Sequence, residues 1–218
     1  MNAHPGAIHE RRNLRTATVA IAGITALAWL IAFLLRLDDH AAVTMGFIPA
    51  RWSGLELPIA AVPTILTPLT ATLVHGGFFH LILNLLILLW CGTLVERVLG
   101  APALVLLYVI AAYTAALAQW AVMPMEVVPM VGASGAISGI IGAFALSFGR
   151  PRQIVKSNTA NQLINAAWLL AAWIVLQLMT GMLGGTQGLM VATAAHVGGF
   201  VAGLALQRPL LLWRYRGA

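Results

Sequence analysis

The stretch LPIAAVPTILTPLTATLV, residues 57–74, decides how many times this chain crosses a membrane. By apolar content alone it passes for a span. Yet Pro58, Pro63 and Pro68 recur every five residues, with Thr64, Thr67, Thr70 and Thr72 among them. Each proline removes a backbone donor and clashes with the preceding turn, and in lipid no water replaces the lost bond. The stretch therefore reads as part of a long loop, residues 37–77, that dips partly into the interface. Phe47, Trp52 and Leu55 are expected to anchor it there.

On both sides of that loop the chain is apolar. It is 61% hydrophobic and only 8% charged, whereas a soluble domain carries about 25% charged residues. Runs of nearly 20 apolar residues match a hydrocarbon core about 30 Å thick. Six spans are expected, near 17–35, 78–95, 103–122, 134–149, 162–180 and 187–207. The fold class is all-α: one compact membrane domain over 17–207, a polar tail at 1–16 and a short basic tail at 208–218. The first apolar run is about twice a signal-peptide core, so it reads as an uncleaved span. No internal repeat is visible, which weakens a transporter reading.

Six spans put both termini on one side. That side collects Arg11, Arg12, Arg15, Arg97, Arg150, Arg152, Lys156, Arg208, Arg214 and Arg216. The other keeps Arg36 and Arg51 beside Asp38, Asp39, Glu56 and Glu126. Ten basic residues against two place both termini in the cytoplasm, and a bacterial inner membrane is the simplest setting. A seventh span at 57–74 would scatter this pattern. The net charge of +6 is thus topology and no sign of nucleic-acid binding. Cys91, the single cysteine, lies in an apolar run with no metal-ligand neighbour at a recognisable spacing, and reads as a buried thiol. No cofactor or metal is expected.

Of the polar residues inside spans, His80, Asn84, Ser134 and His196 are the four that could form one site. His80 and Asn84 share a helical face near the outer end of span two. His196 lies about 13 Å into span six. Span four, about 16 residues long, reaches only about 24 Å, so Ser134 at its outer end stops below the outer surface. All four fall in the outer half of the bilayer. Polar groups there cost about 2–3 kcal/mol or more facing lipid and should turn inward. A serine needs a base, and histidine is suited to the task. His80, Asn84 and the Ser134 amide can donate to an oxyanion. No carboxylate lies in an apolar span to orient His196, so the constellation is a dyad. A plainer reading stands beside this one. Ser134 with Gly135, Gly139 and Ala143 forms a small-residue packing face, and the other three are interhelical hydrogen-bonding groups. Gly199 and Gly203 are expected to let span six approach span four closely.

Three motifs together resemble the rhomboid family of intramembrane serine proteases: His75-x4-His80-x3-Asn84, Gly132-Ala133-Ser134-Gly135, and Ala195-His196-Val197-Gly198-Gly199 with Gly203. The resemblance implies a six-helix rhomboid-like bundle with a membrane-associated first loop. It implies Ser134 as nucleophile, His196 as base, and His80, Asn84 and the Ser134 amide as the oxyanion site. Gly132 would belong to the turn presenting the serine, and Gly135, Gly199 and Gly203 would support the packing. Substrates would be single-span membrane proteins in a lipid bilayer, cut in or near the span. Two features depart from the family pattern. Ser138 stands where many members place an aromatic ring against the base, leaving His196 less firmly held or braced by another ring. Leu66-Thr67-Pro68 stands where many members carry Trp-Arg. The rivals are a catalytically silent client-binding relative and a small transporter using the histidines as a polar relay.

Overall fold

The structure is a computed structural model and describes residues 17–149, 153–183 and 193–216. The expected tail at 1–16, the turn Arg150-Pro151-Arg152 and the expected start of span six at 187 lie outside the described residues. Among those described, the regular structure is all helical apart from one isolated bridge between Phe47 and Met130. Five helices have the length and composition to cross a membrane: Ala17–Leu34 (α1), Phe78–Leu99, Ala101–Val122 (α7), Asn158–Leu183 (α9) and Thr193–Arg214 (α10). The second of these is Phe78–Ile87 (α5) and Thr93–Leu99 (α6), joined through a π turn at Leu88–Gly92. A multi-pass integral membrane protein is the only setting in which so many lipid-compatible helices make sense.

The remaining expected span, span four, is Ser134–Phe148 (α8), which has 15 residues and so is about 22 Å long. It is the centre of the bundle, buried along nearly its whole length. Its sequence explains why. Gly135, Gly139 and Gly142 strip side chains from one face, and backbone meets backbone there. A Cβ on Gly199 of α10 would collide with the Gly135 carbonyl oxygen, and one on Gly203 with that of Gly139. A Cβ on Gly139 would in turn strike the Ala111 side chain of α7. With no hydrophobic force between helices in lipid, such approach is what packs them. Helices α7, α8 and α10 are the tightest group of the bundle.

Residues 57–74 are not a span. The loop contains two short helices, Asp38–Met45 (α2) and Pro49–Trp52 (α3), and then a compact helical segment, Thr64–Leu73, whose middle turn is Thr67–Thr70 (α4). Pro68 falls in the first turn of α4, where a missing N–H costs nothing. The threonines supply donors: Thr67 to the Thr64 carbonyl at 2.6 Å, Thr72 to Leu69 at 2.7 Å and Thr70 to Met45 at 2.6 Å. Arg51 and Trp52 donate to the carbonyls of Val62 (3.0 Å) and Thr64 (3.1 Å). Phe47 departs from its expected interfacial role. It is fully buried with Ala71 and Ala116, edge-on to Trp52 at 5.1 Å, because its backbone pairs in both directions with Met130.

Two helix ends also differ from expectation. Span two continues to Leu99, because Glu96 is a buried anchor. Its carboxylate accepts from the Ala17 N–H at 2.8 Å, the Thr18 N–H at 2.9 Å and the Thr18 hydroxyl. These groups open α1, so Glu96 caps a neighbouring helix from inside its own. Helix α10 runs through Pro209 to Arg214, beyond the expected end at 207. There Leu210 is buried and Arg214 reaches the Arg97 carbonyl.

Candidate active site

Ser134 is the first residue of α8, presented by a turn that the loop pins from two sides. The Gly132 N–H donates to the Ala71 carbonyl at 2.9 Å, and the Ala133 N–H to His75 Nε2 at 3.4 Å. Gly132 has φ +110°, a left-handed conformation that only glycine adopts without strain. It also has no room for a side chain, since a Cβ would lie 2.6 Å from the His80 ring. One backbone position thus fixes both the turn and the seat of His80.

His75, outside the spans, is buried and lies edge-on to His80 at 5.1 Å. Burial first, and the neighbouring His80 second, push its pKa down to about 3. It is therefore neutral, with Nε2 free to accept from Ala133 and the proton on Nδ1.

His196 comes from α10. Its Nε2 lies 2.8 Å from Ser134 Oγ, with both residues buried. That is hydrogen-bond distance for a hydroxyl donating to an unprotonated imidazole nitrogen. Nδ1 has no hydrogen-bond partner among the described residues. The arrangement can therefore take the serine proton without a carboxylate behind the ring.

The other two polar residues are arranged differently. His80 is half-buried against Gly132, next to the serine turn. Asn84 is fully buried one helical turn further along. Its Nδ2 donates to the His80 carbonyl at 2.9 Å, and its Oδ1 receives Gln177 Nε2 at 3.4 Å. Among the described residues no hydrogen bond joins Asn84 to Ser134. Gly135, Gly199 and Gly203 lie at the α8–α10 contact that brings His196 to Ser134. Among the described residues, no cluster of three metal-ligating side chains exists.

Two neighbours of the site, Trp173 and Gln177, escaped the sequence reading, and Ser138, read there only as the position of a missing ring, links one of them to the serine. Ser138, fully buried, donates to the Ser134 carbonyl at 2.7 Å and accepts from the indole N–H of Trp173 at 2.8 Å. The Trp173 ring lies edge-on to His196, centroids 6.2 Å apart. Gln177, four residues later on α9, is the partner of Asn84. Gln177 carried a usable signal, an amide in an apolar run. Trp173 carried none, because Trp168 in the same helix looks alike in sequence and is 70% exposed where Trp173 is 2% exposed.

Comparison with known proteins extends the resemblance beyond the three motifs. A family model described as the rhomboid domain matches residues 63–213, more than half of the chain. RHOMBOID-like protein 4 of Arabidopsis thaliana is 30% identical over 149 residues, covering 68% of this chain and 35% of that protein. RHOMBOID-like protein 5 of the same plant is 34% identical over 138 residues, 63% of this chain and 41% of that protein. Rhomboid protease GluP of Bacillus subtilis is 34% identical over 118 residues, 54% of this chain and 22% of that protein. The chain thus spans well under half the length of these relatives. The matched region holds the whole α8–α10 contact and all three motifs, and on that basis the chain belongs to the rhomboid family.

Proposed function

We propose that this protein is an intramembrane serine endopeptidase that hydrolyses peptide bonds in or near transmembrane segments of membrane proteins through a Ser134–His196 dyad. The observation that carries the reading is the 2.8 Å contact between His196 Nε2 and Ser134 Oγ, buried inside a membrane bundle. A buried polar pair of this kind is costly in lipid and marks a functional site by default.

In this reading Ser134 Oγ attacks the substrate carbonyl carbon while His196 Nε2 takes its proton. The new oxyanion receives the Ser134 N–H, one of those that a helix start leaves without an intrahelical partner. It also receives the His80 ring and the second N–H of the Asn84 amide group. His196 then passes its proton to the leaving amine as the C–N bond breaks. Water, deprotonated by the same nitrogen, hydrolyses the serine ester and returns the proton to Oγ. The substrate segment must unwind locally, since helical amides are hydrogen-bonded and shielded. No cofactor or metal enters this scheme. The charge distribution supports both termini in the cytoplasm of a bacterial inner membrane, with the site opening to the outer face and single-span proteins as substrates.

Cleavage of a single-span substrate in detergent tests the reading, with wild type, Ser134→Ala and His196→Ala compared and a fluorophosphonate probe run in parallel. Cleavage and labelling in wild type, both lost in Ser134→Ala, are expected. Persistent cleavage in Ser134→Ala would overturn the nucleophile. A folded wild type that neither cuts nor labels would favour the silent client-binding reading.

A further inference from the structure

Helix α9 contributes nothing to the three motifs, yet one of its faces touches both halves of the site. Trp173 and Gln177 are four residues apart and so project from the same side of the helix. They are 2% and 4% exposed in a helix whose other face, with Trp168 and Met182, is open to lipid. Trp173 meets the base: its ring is edge-on to His196 at 6.2 Å, within the range of favourable ring contacts. Its own orientation is fixed by the 2.8 Å bond to Ser138 Oγ, and Ser138 is tied in turn to the Ser134 carbonyl. Gln177 meets Asn84 at 3.4 Å.

We propose that α9 is the positioning element of the site, with Trp173 holding the His196 ring in register with Ser134 and Gln177 holding the Asn84 carboxamide. The proposal rests on the Ser134–His196 reading above. His196 has no hydrogen bond at Nδ1 among the described residues. Its orientation therefore depends on the Ser134 contact and on the rings and backbone packed around it. Trp173 supplies from another helix the ring that Ser138 does not. The chain Trp173–Ser138–Ser134 ties that ring to the backbone of the nucleophile itself, so base and serine are referenced to one another. It follows that the site is complete only while α9 is docked against α5, α8 and α10, all of which it contacts.

The test uses the full chain in detergent with a single-span substrate, measuring kcat and KM separately, the rate of fluorophosphonate labelling, and thermal unfolding. Trp173→Leu is expected to lower kcat and the labelling rate at least tenfold, with KM within about twofold. Trp173→Phe, which keeps a ring and gives up the N–H, recovers most of that loss. Ser138→Ala, a minimal change that frees the indole, lowers kcat severalfold at unchanged KM. It carries the test alone if Trp173→Leu does not fold. Gln177→Met lowers kcat at unchanged KM. A folded Trp173→Leu or Ser138→Ala protein with wild-type kcat would overturn the proposal. So would equal losses in Trp173→Leu and Trp173→Phe, which would make Trp173 a packing residue only. Failure of the underlying reading looks different: either Ser134→Ala would still cleave, or the folded wild type would neither cut nor label.

Discussion

Gly199→Ala is the most direct probe of how the fold builds the site. Gly199 lies three residues after His196 on α10, and its missing side chain faces the carbonyl oxygen of Gly135, the residue after Ser134. A methyl group there would overlap that oxygen. It would also sit 3.1 Å from the Gly135 carbonyl carbon and 3.3 Å from Ser138 Cβ. Every close atom but one is backbone, so no side chain can swing away. Relief requires the helices to part by about 1 Å, and overpacking of this sort costs about 1–3 kcal/mol. The separation falls within one turn of the dyad and would stretch the 2.8 Å contact beyond the roughly 3.2 Å reach of a working base. Misplacement by about 1 Å typically costs about a hundredfold in rate, or about 2.7 kcal/mol of barrier. The assay is substrate cleavage with parallel fluorophosphonate labelling, normalised to folded protein by thermal unfolding. Gly23→Ala on lipid-facing α1, where nothing lies within 4 Å, is the control. It should keep full activity and gain up to about 1 kcal/mol of helix stability. A folded Gly199→Ala protein with wild-type kcat would refute the idea that this approach sets the dyad distance.

Three further outcomes follow from the same structure. Glu96→Gln leaves one acceptor for the three donors of Ala17 and Thr18, so α1 should loosen, with a loss of about 1.5–3 kcal/mol read as a lower unfolding temperature; an unchanged temperature would contradict the capping role. His75 has a folded pKa of about 3 against 6.5 unfolded, so between these values the unfolded chain binds more protons and stability falls as pH drops. At pH 5 this amounts to about 2 kcal/mol; His75→Gln should flatten the pH dependence of unfolding by that amount, and identical slopes would count against a buried neutral His75. Gly132→Ala combines a left-handed φ with a clash on His80, so it should lower kcat at least tenfold while the bundle stays folded, and normal kcat would mean that His80 does not depend on this turn.

Much of the architecture was legible because membranes constrain sequence strongly. Prolines at five-residue spacing excluded a span at 57–74, and the shortness of the Ser134 helix followed from Gly149 and Pro151. What escaped were features that depend on which face of a helix turns inward. Phe47 looked like an interfacial anchor because its burial comes from pairing with Met130, 83 residues away. Glu96 looked like a boundary residue because its partners lie at the start of a different helix. Trp173 and Trp168 are indistinguishable in a hydropathy profile, and only packing against Ser138 and His196 separates them.

The ring missing at position 138 is replaced by the Trp173 indole from α9. A large side chain at 138 would occupy the space where the Trp173 indole reaches Ser138 Oγ at 2.8 Å, so the two solutions exclude each other sterically. With serine, the ring comes from α9 and is held by a hydrogen bond, and Ser138 bonds back to the Ser134 carbonyl at the start of α8. In the proposed reading the bracing of His196 then passes through a helix whose opposite face, with Trp168 and Met182, is exposed. Its precision therefore depends on the docking of α9 as well as on the rigid α8–α10 contact. Small-residue packing fixes the distance between serine and histidine, and an aromatic contact from the periphery fixes the ring's orientation. These two determinants are physically separate. Gly199→Ala should therefore act on distance with Trp173 still in place, and Trp173→Leu on orientation with the helices still in contact. Losses in the double variant well short of the product of the two would indicate that both act through the same displacement of His196.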